Sequence, residues 1–174
     1  IDRPGMFRVT KEKDEWYFLI PDSLIGREFL TTTRYTATPS NCGQFGGEQI
    51  NEQTVYFQPA PGGNLLLRSR LFINVADTAA MINKAITVSN ESPILNSFKI
   101  ESHKDSVYKI KVSPFFDSEV AGMGIPADIK QMYGLQGMHG DKSYIEDIKT
   151  FPMNTEVRMV KTYSSNSFRM PATG

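Results

Sequence analysis

Short β-type runs that alternate with clusters of turn-forming residues limit most strongly what this chain can fold into. Two extended runs separated by such a cluster are typical of a β-hairpin. Three such pairs occur, at residues 6–10 with 16–20, 54–58 with 64–75, and 93–102 with 107–112. In the third pair, Phe98 and Ile110 each share one strand face with other apolar side chains. The sequence therefore predicts a fold built from antiparallel hairpins.

Two further strands complete the β prediction. Asp22 is a candidate N-cap and Gly26 a candidate left-handed residue, so residues 22–26 are expected to form a single helical turn. Residues 27–38, rich in Thr, Phe and Tyr, then continue as a strand. A last strand is expected over 155–163, where apolar and polar side chains alternate.

Helical spacing is seen in two segments. Residues 77–90 begin with a candidate cap, Asp77, and residues 141–151 begin with Asp141. The second segment places four apolar side chains on one helical side, namely Tyr144, Ile145, Ile148 and Phe151. Residues 113–140 contain five glycines and two prolines and show no sustained period. They predict a long loop, either irregular throughout or holding one short helix near 126–133.

These elements predict a mainly β fold, with an α+β arrangement as the alternative. We expect antiparallel sheets or a sandwich of about eight strands, with two short helices. The 174 residues fit a single domain, 1–174, and a hydrophobic share of 40% suffices for a core. Because the chain starts at Ile1 and ends in a polar segment, we expect it to be excised from a longer protein.

The charge distribution bears on possible partners. Nineteen basic residues balance nineteen acidic ones, and no segment concentrates Lys and Arg. A nucleic-acid partner is therefore not expected, since phosphate binding requires a basic patch. No apolar run approaches the ~20 residues that a membrane-spanning helix needs. The sequence thus predicts neither nucleic-acid binding nor a membrane span.

Cys42 is the only cysteine, and it precedes a glycine-rich stretch that includes Gly46 and Gly47. A nucleophilic thiol needs a neighbouring base, and the two histidines, His103 and His139, lie in distant segments without a supporting motif. The glycines lack the ending of a phosphate-binding loop and lead into a strand rather than a helix. We interpret the stretch as a flexible passage into that strand, with a cysteine-dependent enzyme as a minor alternative.

The chain shows no metal-binding pattern. Zinc sites draw on His and Cys, and here His103, His139 and Cys42 form no i, i+4 pair and no H-E-x-x-H motif. Both histidines are interpreted as exposed turn residues. One cysteine also excludes an internal disulfide. No catalytic residue, metal ligand or cofactor site is predicted within the chain.

Carboxylate pairs could in principle act as general acid and base. Glu48 with Glu52, and Glu146 with Asp147, are such neighbours. On a surface helix or loop, however, neighbouring carboxylates are usually only solvated charges. We adopt that interpretation for both pairs.

Aromatic side chains allow two interpretations. Trp16, Tyr17 and Phe115 could form an exposed platform on which sugars stack. Their alternation within apolar runs favours burial in the core instead. The exposed platform defines the alternative function, a self-contained carbohydrate- or peptide-binding module.

Four stretches together carry a family resemblance. They are "YFLIPDSLIGREFLTTTR", "GGEQINEQTVYFQ", "SPILNSFKI" and "DKSYIEDIKTFPMNTEVRMVKTY". The chain resembles, from about Gly5 to Tyr163, a domain of unknown function that precedes the catalytic domain in bacterial metzincin-like, zinc-dependent metalloproteases. In that family the zinc-binding H-E-x-x-H helix lies downstream, so the resemblance transfers no catalytic residue onto this chain.

The resemblance implies a non-catalytic accessory domain that packs on the downstream protease domain and contributes to its peptide cleft. Zinc would belong to the parent protein, whose location would be periplasmic, outer-membrane-associated or secreted. Partners would be the downstream domain and a peptide substrate, the latter paired along an edge strand near "NEQTVYFQ". The candidate interaction surface comprises Gly46, Gly47, Glu48, Asn51, Glu52, Tyr144 and Glu146.

Overall fold

Antiparallel strands dominate the computed structural model, which describes residues 1–39, 43–70, 91–120 and 122–166. Twelve strands lie within these ranges, namely β1 Asp2–Arg3, β2 Arg8–Glu12, β3 Glu15–Pro21, β4 Glu28–Arg34, β5 Gln49–Ala60, β6 Asn64–Ser69, β7 Ile94–Lys104, β8 Val107–Lys111, β9 Leu135–Met138, β10 Tyr144–Thr150, β11 Thr155–Val160 and β12 Tyr163–Ser165. Two short α-helices, α1 Ser113–Phe116 and α2 Ala127–Met132, and two 3-10 turns, Asp22–Leu24 and Gly140–Lys142, complete the elements. The predicted mainly β class is confirmed.

Eight strands form one curled sheet in the order β1-β2-β3-β8-β7-β6-β5-β4. Two ribbons, β10 with β11 and β12 with β9, lie outside it. All of these pairings are antiparallel. None of the helices in the described part of the chain is long and apolar enough to cross a membrane.

The predicted hairpins are confirmed, with tighter turns than expected. The β2–β3 turn consists of Lys13 and Asp14, with φ of 48° and 68°. The β7–β8 turn consists of Asp105 and Ser106, with φ of 52° and 59°. Two consecutive left-handed residues form the turn that matches strand twist in a two-residue hairpin. The strands run closer to the turns than predicted, so charged residues next to each turn, such as Glu12 and Lys104, belong to strands.

The core covers one face of the sheet, because strands such as β3 bury every second side chain. Val9, Ile20, Leu65, Ile110 and Ile148 are fully buried. Phenylalanines join the strands to α1, with successive ring centroids 5.0–6.4 Å apart; they are Phe7, Phe18, Phe29, Phe57, Phe98, Phe115 and Phe116. Such offset and edge-to-face contacts are favourable beyond simple burial.

The predicted helix over 141–151 is wrong, since Tyr144–Thr150 is strand β10. The pairing register with β11 shifts between Ile145 and Asp147, so Glu146 is the extra residue of a β-bulge. A bulge lets residues three apart point to one side of a strand. Ile145 and Ile148 therefore both face the core, and their spacing imitated a helix.

The remaining predictions concern the turn after Pro21, the 113–140 segment and three positions that the structure does not describe. The helical turn after Pro21 is confirmed and Gly26 has φ of +75°, but Asp22 makes no capping bond to it. Within 113–140 the short helix appears as α2, while α1 and β9 were not predicted. The helix predicted at 77–90, the end of the 64–75 strand and Cys42 lie outside the described residues.

Candidate functional site

The predicted interaction residues fall in two separate places. Gly46, Gly47 and Glu48 form the turn before β5, and Asn51 and Glu52 lie at the start of that strand. Tyr144 and Glu146 lie instead on β10, whose main contacts outside its ribbon are with β2 and α1. The seven residues thus lie on different elements, and their role as an interaction surface stays a prediction.

The glycine turn is held tightly against the end of β4. Gly47 N donates to Tyr35 O at 2.6 Å, and Tyr35 N donates to Glu48 O at 3.0 Å. A Cβ at Gly46 would lie 2.8 Å from Thr36 O, and Gly47 has φ of +93°. Glycine is required here for close approach and for a left-handed backbone. The turn is a fixed junction between β4 and β5.

In the sheet, β5 lies between β4 and β6. The hypothesis that a peptide pairs along this stretch required an edge strand instead. Residues 49–56 pair with β4, and residues 55–60 pair with β6. The sheet edges in the described ranges are β1 and β4. Only Val55 and Tyr56 pair on both sides in the described ranges; the residues before them pair with β4, and those after them pair with β6.

A cleft opens beside the first half of β5, and we name it the 119–130 cleft. It encloses about 450 Å³. Its lining comprises Asn51, Glu119, Val120, Gly122, Gly124, Ile125, Pro126, Ala127 and Lys130. Asn51 Nδ2 donates to Gly124 O at 3.3 Å, and Thr33 Oγ1 donates to Met123 O at 2.9 Å. These bonds fasten the glycine-containing wall to β4 and β5.

An ion pair closes one side of the 119–130 cleft. Lys130 Nζ donates to Glu119 Oε1, and the same ammonium lies 5.7 Å from the centre of the Tyr163 ring. The side chains of Glu119 and Lys130 retain 36% and 24% exposure, so solvent reaches both charges. The pair can therefore exchange partners with an incoming polar group.

The groups around this pair have shifted pKa values. Burial raises the pKa of Tyr163, and the neighbouring Glu119 raises it further. Burial lowers the pKa of Lys161, against the opposing charges of Glu119 and Asp117. The pKa of Asp117 is raised by burial and by Glu15. Tyr163 thus stays protonated at neutral pH, which suits hydrogen-bond donation and not proton abstraction.

Lys161 has a structural contact that accounts for its position. Its Nζ donates to Ser118 O, directly before the Glu119 side of the cleft. Together with the Glu119–Lys130 pair, this bond joins the chain after α1 to α2 and to the segment before β12. The arrangement can hold a binding wall in place.

Each histidine makes a local side-chain contact. His103 Nε2 lies 2.8 Å from Asp22 Oδ1, and its ring stacks on Tyr108 at 3.8 Å. His139 Nε2 lies 2.7 Å from Ser164 Oγ. Among residues 1–39, 43–70, 91–120 and 122–166, no three His, Cys, Asp or Glu side chains converge as metal ligands would.

The carboxylate pairs are engaged in local contacts. Glu146 accepts from Arg158 at 2.7 Å, and Asp147 accepts from Arg3 at 2.5 Å. Glu52 accepts from Gln49 Nε2 at 3.2 Å. Glu48 accepts from Phe45 N at 3.3 Å. Hydrogen bonds within the surface explain all four, and neither predicted pair faces the 119–130 cleft.

Burial settles the interpretation of the aromatic residues. Trp16 and Phe115 are 3% and 6% exposed and belong to the core. Tyr17 is half-buried, with Lys109 Nζ 4.4 Å above its ring. The core interpretation is confirmed for Trp16 and Phe115, and these residues form no exposed sugar platform.

Sequence reasoning missed the charged groups of the 119–130 cleft. Glu119 and Lys130 lie eleven positions apart in a segment without periodicity, and Tyr163 belongs to a distant strand. Only the tertiary fold brings these three side chains together. The sole hint in the sequence was the length of that segment, because long irregular loops are often functional.

Comparison with protein families identifies the chain. The family model described as Domain of unknown function (DUF5117) matches residues 47–173. The chain belongs to this family. In this DUF5117 chain, a second model, Domain of unknown function (DUF5118), matches residues 2–38. No curated protein and no solved structure shows significant similarity to it.

The two matched segments share one sheet. The residue 2–38 match includes β1 to β4, and the DUF5117 match includes β5 to β8. Strand β3 pairs with β8, and β4 pairs with β5. Each of these two pairings joins a strand of one matched segment to a strand of the other. The Gly46–Gly47 turn lies at that boundary. Each segment therefore supplies partners for the other's strands.

Proposed function

We propose that this chain is a non-catalytic accessory domain of a zinc-dependent metalloprotease. The sequence resemblance supports the parent activity, and the two domain families matched are both of unknown function. In this proposal zinc belongs to a downstream protease domain of the same polypeptide, on which this chain packs. The same resemblance implies a periplasmic, outer-membrane-associated or secreted location for the parent protein.

The observation that carries the proposal is the form of the 119–130 cleft. Its wall is apolar, through Val120, Ile125 and Pro126, and a solvent-accessible ion pair borders it. Binding sites combine such apolar walls with a few placed polar groups. The apolar wall beside an exchangeable ion pair suits reception of a polypeptide segment, which offers both apolar side chains and polar backbone groups. That segment is a loop of the protease domain or the substrate it holds.

A self-contained peptide-binding module remains the second candidate, and the same cleft favours it. Trp16 and Phe115 are buried, so a carbohydrate-binding form of that module would use other side chains. The two candidates differ in what enters the cleft. An accessory domain receives its own parent protein, whereas a module receives a peptide from another protein.

The test compares the chain alone with the chain joined to the polypeptide that follows it in its gene. We expect no peptidase activity and no stoichiometric zinc from residues 1–174 alone, and zinc-dependent activity from the joined protein. Cleavage by residues 1–174 alone would contradict the proposal. Failure of the joined protein to bind zinc would remove the metalloprotease assignment.

A matched pair of variants tests the cleft. Ala127→Gln adds side-chain atoms to the cleft lining at the exposed start of α2. Ala60→Gln adds the same atoms at the end of β5, outside the lining. In the joined protein, only Ala127→Gln should reduce protection of residues 119–130 from hydrogen exchange. Equal protection in both variants would show that the cleft is not the contact surface.

A further inference from the structure

Strand β4 forms a free edge of the eight-stranded sheet in the part of the chain that the structure describes. It is seven residues long, Glu28–Arg34, and its pairing with β5 is regular until the register shift between Thr33 and Arg34. A free edge presents unpaired N–H and C=O groups that another strand can join. Proteins commonly protect such edges with Pro, Lys or bulges, and β4 has none of these within 28–33.

The sequence of β4 is complementary to itself in the antiparallel direction. If Thr31 pairs with Thr31 of a second copy, Glu28 lies opposite Arg34 of that copy, and Arg34 lies opposite its Glu28. Residues opposite each other in an antiparallel pair share a sheet face and stabilise it when their charges are opposite. Two opposite-charge pairs thus form at the two ends of one short interface.

The charged groups are available for such pairing. Arg34 Nη2 donates to Gln49 Oε1 at 3.1 Å, and this amide carries no charge. Glu28 Oε1 accepts from Arg70 at 2.7 Å, while the Glu28 side chain remains 43% exposed. A carboxylate can accept from two guanidinium groups through its two oxygens. Glu28 can therefore keep Arg70 and also bind Arg34 of a second copy.

Leu30 gives the middle of the edge an apolar contact. Glu28, Leu30, Thr32 and Arg34 alternate outward from the core, and Leu30 is 65% exposed. In the same register Leu30 lies opposite Thr32 of the second copy and diagonal to its Leu30. Diagonal neighbours on a sheet face are within reach of long side chains. Both exposed leucines would then be partly covered.

We propose that two copies of this chain associate through β4, antiparallel about Thr31, to form one continuous sheet. The interface is two-fold symmetric, as in most homodimers. Because it rests on one seven-residue strand, it is small, and the dimer is expected to be weak and sensitive to salt. The proposal is independent of the metalloprotease assignment, and its test uses residues 1–174 alone.

The test uses charge reversal and sedimentation equilibrium at low and high salt. Glu28→Arg places Arg opposite Arg34 twice, and Arg34→Glu places Glu opposite Glu28 twice. Each variant alone should dimerise about tenfold or more weakly than the native chain. A mixture of the two variants restores opposite charges at both positions, so it should form a heterodimer of native affinity. The double variant should again form a homodimer.

The restoration distinguishes the interface from damage to the fold. Thermal unfolding of each dilute variant should remain close to that of the native chain, since both residues are exposed. A native chain that stays monomeric at millimolar concentration would overturn the proposal. A dimer indifferent to both charge reversals would do so too, because association would then use another face. Slow hydrogen exchange throughout β4 in the dilute monomer would show that the edge is already paired.

Discussion

The two edge strands of the sheet, β1 and β4, differ in length and in what they contact. The β1 edge is two residues long, and its Arg3 reaches the β10–β11 ribbon by donating to Asp147 and to Ile148 O. The β4 edge is seven residues long and exposes Leu30. At the β1 edge, Arg3 joins the sheet to a ribbon that is distant in sequence. At the β4 edge, groups are left available for interaction.

The largest expected effect compares a buried residue near the β1 edge with an exposed one on β4. Ile148 is fully buried, whereas Leu30 is 65% exposed. Ile148→Ala should lower the free energy of unfolding by about 2–5 kcal/mol, because it removes buried methyl groups and leaves a cavity. Leu30→Ala should change it by less than about 0.5 kcal/mol. Urea unfolding of the dilute protein measures both, and similar losses would contradict the comparison.

A smaller effect is expected from the close packing of the β1 edge on the ribbon. A Cβ at Gly5 would lie 2.1 Å from Thr150 Oγ1, and Thr150 Oγ1 itself donates to Phe7 O at 2.8 Å. Gly5→Ala should therefore destabilise the protein by about 1–3 kcal/mol through overpacking. Gly137→Ala is the matched control, since nothing lies within 4 Å of its Cβ position. Equal melting temperatures for the two variants would show that the β1 edge tolerates displacement.

The smallest effect concerns the Arg3–Asp147 ion pair and its dependence on pH. Arg3 holds the pKa of Asp147 below its usual value through a hydrogen bond and charge attraction. A depressed pKa contributes stability that is present above the unfolded-state value and is lost as pH falls through the folded-state value. At pH 7, Arg3→Ala should cost about 1 kcal/mol, since the pair is partly exposed.

That cost should shrink as Asp147 becomes protonated in acid. The control is Asp147→Asn, in which the effect of Arg3→Ala should no longer change between pH 7 and pH 3. Chemical unfolding at several pH values provides the measurement. A pH-independent effect of Arg3→Ala in the native background would assign its contribution to the bond with Ile148 O instead.

Local sequence signals predicted much of the fold and little of the candidate site. The β2–β3 and β7–β8 hairpins follow from adjacent strands and polar turns, so nearby residues specify them. The β10 error arose because the bulge at Glu146 gives Ile145 and Ile148 a helical spacing within a strand. Whether Glu119 meets Lys130 depends on the whole path of residues 113–134, and no local pattern encodes that path.

The sequence by itself determined the alternation of apolar side chains, the turn residues and hence an antiparallel, mainly β chain. These properties follow from steric and burial preferences within a few residues. The tertiary structure alone decided which strands became edges, that β5 became internal, and that the 119–130 cleft joins a charged pair to an apolar wall. Such features depend on contacts between segments far apart in sequence, whose free energies are realised only when the chain folds as a whole.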